Sequence, residues 1–202
     1  MPGISKNIDS FITHITPMLA SGTIHSKTQL EKIAVGHGID RPNDAKEYTE
    51  LALVQIARGI ALDLSMNQRA KFNKIVELYH NKVNLSHRTS RSVSLQQYST
   101  PAPIGYLMGI YCIPDIGRSL YEPSAGNGML TIAWQPNQVW VNEIDTLRNS
   151  NLKIQNFVSV TTFDASKPHK LPLRNFDAVI TNPPFGSLDE KIDRDGYKIS
   201  SL

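Results

Sequence analysis

The sequence predicts an α/β fold in which a parallel sheet with helices packed on it follows an all-helical region. Three observations carry this. After Pro101, short apolar runs alternate with helical patterns, the rhythm of strand–helix–strand crossovers. Four expected strands each end in a polar residue, Glu122, Glu143, Asp164 and Asn182, spaced 21, 21 and 18 residues apart. That spacing is one strand-plus-helix unit per step. Upstream of this pattern, apolar residues recur only at helical spacing. The expected organisation is a helical region over 1–90 and a sheet domain beginning at 91 and running to 202.

The helices come first. Ile4, Ile8, Phe11, Ile12 and Ile15 form one stripe. "SKTQ" (26–29) is a capping-box pattern ahead of Leu30, Ile33 and Ala34, with Gly36 as a stop. Asp44 with Glu47 opens a third helix with the stripe Leu53, Ile56, Ala57, Ile60 and Leu64. "SMNQ" (65–68) opens a fourth, carrying Phe72, Ile75, Val76, Tyr79 and Val83. These stripes read as core-forming faces and suggest no chemistry. Residues 84–99 are polar and serine-rich, the composition of a linker.

In the second part, Thr100 is placed to cap a helix with Pro101 at its first position, and Ile104, Leu107, Met108 and Tyr111 give that helix an apolar face. Strands are expected at 118–122, 138–143, 158–163 and 176–181, with helices at 128–135 and 145–154 between them. Residues 187–202 lack periodicity and read as a loop or tail.

Composition narrows the function classes. No apolar run is long enough to span a bilayer, and the first residues lack a secretory pattern. The lone cysteine, Cys112, lies in an apolar stretch and excludes an internal disulfide, so the expected compartment is the cytoplasm. Net charge is +3. Between Asn67 and Pro101, six basic residues (Arg69, Lys71, Lys74, Lys82, Arg88, Arg91) face one acid, Glu77. Such a run meets phosphates in some proteins and is a solvated helix face in more. His14, His25, His37, His80, His87 and His169 form no ligand-spaced set, so no metal is expected.

Ligands of open parallel sheets collect at the carboxyl ends of the strands, near the point where strand order reverses. The first such end is "EPSAGNG" (122–128), where Gly126 and Gly128 permit a tight turn and close backbone approach. Ser124 stands where a dinucleotide fingerprint would have its first glycine, and Glu122 argues against a diphosphate. An acid there suits a positive centre or amine donors. In "NEID" (142–145), Glu143 is positioned for a ribose hydroxyl pair; in "FDAS" (163–166), Asp164 is an acceptor for an exocyclic amine. Asp145 and Asp164 also stand where a helix N-cap would. Jointly these ends describe a nucleoside site without the basic residues that phosphates demand.

"QYSTP" (97–101), "EPSAGNG", "NEID", "FDAS" and "NPPF" (182–185), in that order, resemble the N6-adenine DNA methyltransferases, over about 90 residues from Gln97 to Gly186. The resemblance implies a Rossmann-like S-adenosylmethionine-dependent methyltransferase sheet, present in part. It implies that Thr100 and Pro101, with Glu122, Pro123, Ser124, Ala125, Gly126 and Gly128, hold the methionine end of S-adenosylmethionine. Glu143 would take the ribose hydroxyls, Ile144 would pack on the adenine ring, and Asp164, with Ala165 beside it, would accept from the ring's amino group. Asn182, Pro183, Pro184 and Phe185 would form the catalytic loop. Asn182 and the Pro183 carbonyl would accept the two N–H bonds of the substrate amine, while Phe185 stacks on the base.

This account explains the stiffness of "NPPF". An aromatic amine is a poor nucleophile because its lone pair is delocalised into the ring. Two fixed acceptors pull its N–H bonds out of plane and free that lone pair, and consecutive prolines fix the backbone. A tip aromatic replaces stacking lost by a flipped base, worth about 1–3 kcal/mol. The implied partner is double-stranded DNA, in a restriction-modification setting, with no membrane. Sixteen residues after Gly186 supply neither further strands nor a target-reading region. The expectation is therefore the amino-terminal piece of a longer protein, with the fourth strand covered by a following segment or a second subunit. Two alternatives stay open: methyl transfer to another planar amine (an RNA base or protein glutamine), and a non-catalytic cofactor-binding fragment.

Overall fold

The computed structural model describes residues 6–24, 26–81, 99–165 and 175–183. It is mixed α/β, with a four-stranded, all-parallel sheet and six α-helices among the described residues. The helical region comprises α1 (Lys6–Ala20), α2 (Lys27–Gly36), α3 (Pro42–Leu62) and α4 (Gln68–Asn81). Next come α5 (Ala102–Tyr111), β1 (Leu120–Glu122), β2 (Val139–Asn142), α6 (Thr146–Lys153), β3 (Ser159–Thr161) and β4 (Ala178–Val179). The strands are shorter than their apolar runs, because the pairing ends where the chain turns out to form strand-end loops.

Local signals explain most boundaries. Ser26 caps α2, its hydroxyl accepting the Gln29 N–H at 3.2 Å. The cap of α4 lies two residues beyond the expected serine: Asn67 Oδ1 accepts the Ala70 N–H at 2.9 Å, while Ser65 bonds to Asp63. Asp145 caps α6, accepting from Leu147 and Arg148 N–H groups. The expected helix over 128–135 is only a 3-10 turn, Met129–Thr131, so no full helix N-terminus follows the glycine loop. Thr100 does not cap α5: Pro101 is the N-cap, and no side-chain cap bond forms among the described residues.

One expected face is rotated. On α5, Ile104, Leu107, Met108 and Tyr111 are exposed, whereas Ala102, Gly105, Tyr106 and Gly109 are buried. Close approach decides this. A Cβ at Gly105 would lie 2.5 Å from the Met129 carbonyl oxygen, and one at Gly109 would lie 2.8 Å from the Ala133 Cβ. Small residues let the helix backbone press onto the 3-10 turn, and the large ones are left outside. Gly105→Ala is therefore expected to destabilise the fold by about 1–3 kcal/mol, because the obstructing atom is backbone; an unchanged urea midpoint would refute this packing. On α3 the expected stripe does face the core at Leu53, Ile56, Ala57 and Ile60; Leu64 lies past the helix end and is exposed, and Tyr48, Leu51, Ala52 and Val54 are buried as well.

One continuous core joins the helical region to the sheet, running from Phe11 and Leu51 to Trp134, Val141 and Ile180. Cys112 is half-buried against it, and burial raises its thiol pKa. Of the expected basic cluster, Arg69, Lys71 and Lys74 lie on α4; Lys82, Arg88 and Arg91 lie outside the described residues, as do Ile4, Val83 and the tail. No described helix is long and apolar enough to cross a membrane.

The sheet order is β3-β2-β1-β4. The chain steps outward from β1 to β3, then returns to the opposite side of β1, so strand order reverses between β1 and β4. Asp177 fixes that return: its carboxylate accepts the Ser119 N–H at 2.7 Å and the Ser119 hydroxyl at 2.8 Å. Phe176 adds a stacked contact with Tyr121 and an edge contact with Trp140. β4 pairs with β1 alone among the described residues, and Val179 is exposed on it.

Candidate functional site

The reversal of strand order puts the carboxyl ends of β1 and β4 side by side. Tyr121 pairs with Val179, and the Ile180 N–H donates to the Tyr121 carbonyl at 3.0 Å. Glu122 therefore stands next to the segment that carries Thr181 and Asn182. Glu122 is fully buried. Its Oε1 accepts the Ser124 N–H at 3.0 Å, while Oε2 accepts no hydrogen bond from the described residues. Burial pushes this carboxyl up to about 8; the Ser124 N–H and the Thr181 hydroxyl act against that rise, and the Glu143 charge adds to it. Among the described residues, this leaves Oε2 as a buried polar atom beside the β1–β4 crevice with capacity for a further hydrogen bond.

The folded-state pKa of Glu122 is raised, so the folded protein binds the proton more tightly than the unfolded chain does. Its contribution to stability is fully present below about 4.5 and is lost as pH rises through about 8. Glu122→Gln keeps an acceptor for Ser124 and removes the charge. The variant is expected to melt higher than wild type above pH 8 and to flatten the pH dependence of Tm between pH 5 and 9. Parallel melting curves would contradict this.

The glycine loop is held from both sides. Gly126 and Gly128 adopt φ of +57° and +96°, a region closed to most side chains. The Ala125 N–H donates to the Asn142 carbonyl at 2.9 Å, and the Gly126 N–H donates to Glu143 Oε2 at 2.7 Å. Glu143 Oε1 accepts the Asp145 N–H at 2.7 Å. Both oxygens of the expected ribose acceptor thus already hold backbone donors, each with lone-pair capacity left. Burial raises the Glu143 carboxyl; the Asp145 N–H, the Arg148 charge and the Gly126 N–H oppose the rise. Ile144 beside it is half exposed. Pro123 accepts from Asn142 through its carbonyl, and Asp164 and Ala165 are half-buried at the β3 exit.

Asn182 is half-buried, and its Nδ2 donates to Thr100 Oγ1 at 3.1 Å. Thr100 and Asn182, 82 residues apart, are thereby brought together beside the β1–β4 crevice. Pro183 is exposed; Pro184 and Phe185 lie outside the described residues.

Several supporting residues carry no motif. Asn142 bonds to three neighbours: Nδ2 donates to the Pro123 and Phe163 carbonyls, and Oδ1 accepts from the Thr161 hydroxyl and the Phe163 N–H. It ties the ends of β1, β2 and β3 together. Its signal in the sequence is an amide at the end of an apolar strand. From the helical region, Glu47 makes a buried bidentate ion pair with Arg148, Nε–Oε2 2.8 Å and Nη2–Oε1 3.2 Å. Burial pulls the Arg148 guanidinium down, but Glu47 holds it above its ordinary value. Glu47 also accepts from Asn127, the residue between the two loop glycines, at 2.8 Å. Arg58 reaches Gln155 and Thr131 at 2.7 and 2.9 Å, lies over the Phe157 ring, and is lowered by burial to about 10. Helix α3, expected to be core alone, is a wall of the site.

Two histidines expected to be scattered meet on the surface: His14 Nδ1 and His37 Nε2 are 2.9 Å apart. No group of three or more metal-ligating side chains occurs among the described residues. Comparison with family models, with curated proteins and with solved structures finds no match.

Proposed function

We propose that this chain carries the cofactor half and catalytic loop of a Rossmann-like S-adenosylmethionine-dependent methyltransferase acting on the exocyclic N6 amine of adenine in DNA. The observation that carries the reading is the crevice between β1 and β4, where Glu122 and Asn182 come from separate motifs to one topological switch point. The order β3-β2-β1-β4 is that of the first four strands of a doubly wound sheet.

The residues fit the cofactor. The open Glu122 oxygen suits an ammonium group, and a loop of positive-φ glycines permits close backbone approach. Ile144 offers an exposed apolar face and Asp164 an acceptor. When bound, S-adenosylmethionine supplies an electrophilic methyl on a sulfonium sulfur that leaves as a neutral thioether. Asn182 Oδ1 and the Pro183 carbonyl would hold the two N–H bonds of the adenine amine out of the ring plane. The nitrogen lone pair would then be free to form the new N–C bond as the methyl–sulfur bond breaks. Neither oxygen is basic enough to keep a proton, so the one released passes to solvent. DNA, the cytoplasmic compartment and a restriction-modification setting belong to this proposal, as does a further segment or subunit covering the β4 edge.

Calorimetry with S-adenosylhomocysteine, followed by transfer of labelled methyl to adenine-containing duplex, tests the reading. Binding together with label in N6-methyladenine is the expected result. No heat, or label found only in RNA or protein substrates, would overturn it.

A further inference from the structure

We propose that Thr100 is a positioning residue whose hydroxyl, anchored through Ser99 to helix α3, orients the Asn182 amide so that Oδ1 faces the substrate amine. This rests on the methyl-transfer reading and departs from the cofactor-holding role that the resemblance gives Thr100.

An asparagine amide carries its donor and its acceptor branch in one plane, on opposite sides of the Cβ–Cγ axis. Free rotation presents either to a substrate, and the donor branch repels an amine. With Nδ2 donating to Thr100 Oγ1 at 3.1 Å, the oxygen is the branch left on the other side. Thr100 is a stiff holder. It is β-branched, and it precedes Pro101, which confines its backbone to extended conformations. Its hydroxyl makes no bond to the start of α5, although a threonine before a helix ordinarily caps it.

The holder is itself held. Ser99 donates to Glu50 Oε2 on α3 at 2.7 Å, and the same oxygen accepts from Asn127 of the glycine loop at 3.2 Å. Three segments distant in sequence (the glycine loop, 99–101 and the strand end at 182) are thereby registered against one helix. Glu50 is steadied in turn by Lys46 at 4.0 Å.

The test uses Thr100→Val, which keeps shape and removes the acceptor, and Thr100→Ser, which restores it. T100V is expected to lower kcat by about tenfold or more with S-adenosylhomocysteine affinity within about threefold of wild type, and T100S to recover most of the rate. In an Asn182→Ala background T100V adds little, because the group it orients is gone. The Asn182 side-chain NH2 signals, assigned by their loss in N182A, should exchange faster in T100V than in wild type or T100S. Weakened cofactor affinity with unchanged kcat at saturation would return Thr100 to the cofactor and overturn the proposal. Unchanged Asn182 amide exchange in T100V would overturn it whether or not the protein transfers methyl groups. A wild type that neither binds S-adenosylhomocysteine nor transfers methyl overturns the functional reading, and with it the assignment of Oδ1 to an amine.

Discussion

Glu47→Ala is expected to destabilise the protein by about 3–5 kcal/mol, because it strands the buried Arg148 guanidinium without its counter-ion. At about 2–4 °C per kcal/mol for a chain of this size, the midpoint should fall by roughly 6–20 °C. Arg148→Ala leaves the complementary charge stranded and should cost a similar amount. The informative comparison is Glu47→Leu with Arg148→Met together, which removes both charges. Burying an ion pair costs desolvation, so the double variant should be more stable than either alanine variant. It should still bind cofactor less well, since the Asn127 amide loses the Glu47 acceptor. Thermal melts of all four proteins decide this, and a double variant no more stable than the alanine variants would refute the pairing.

Asn182→Ala is expected to reduce methyl transfer by about 10²-fold or more while leaving stability within about 1.5 kcal/mol. The stability effect is small because the side chain is half-buried and makes one bond among the described residues, to Thr100. The catalytic effect is large because an acceptor acting on a developing charge counts most in the transition state. Affinity for S-adenosylhomocysteine should change little. Single-turnover rates at saturating cofactor check the first figure, and a loss confined to KM would refute the assignment.

The strand ends are legible in the sequence because a polar residue closes each apolar run at the interval of one strand-plus-helix unit. Glu122, Glu143, Asp164 and Asn182 all fall at or just after strand termini. Strand order is not written in any single residue; it follows from Asp177 gripping Ser119 and Phe176 stacking on Tyr121, contacts between positions 55 or more residues apart. The face of α5 is misread when hydrophobicity is weighed and close approach is not. Two glycines at i and i+4 outrank four large apolar residues when a backbone must come near. The role of α3 is hidden for a different reason. A glutamate on a helix reads as solvated until its arginine, 101 residues away, is seen beside it.

The shared core and the α3 polar contacts carry a consequence for engineering. Helices whose acids reach into a neighbouring loop are not cassettes that shuffle freely between genes. A chimera joined between 81 and 99 inherits either Glu47 without Arg148 or Arg148 without Glu47. Recombination there keeps the buried ion pair only when both parents supply matching halves.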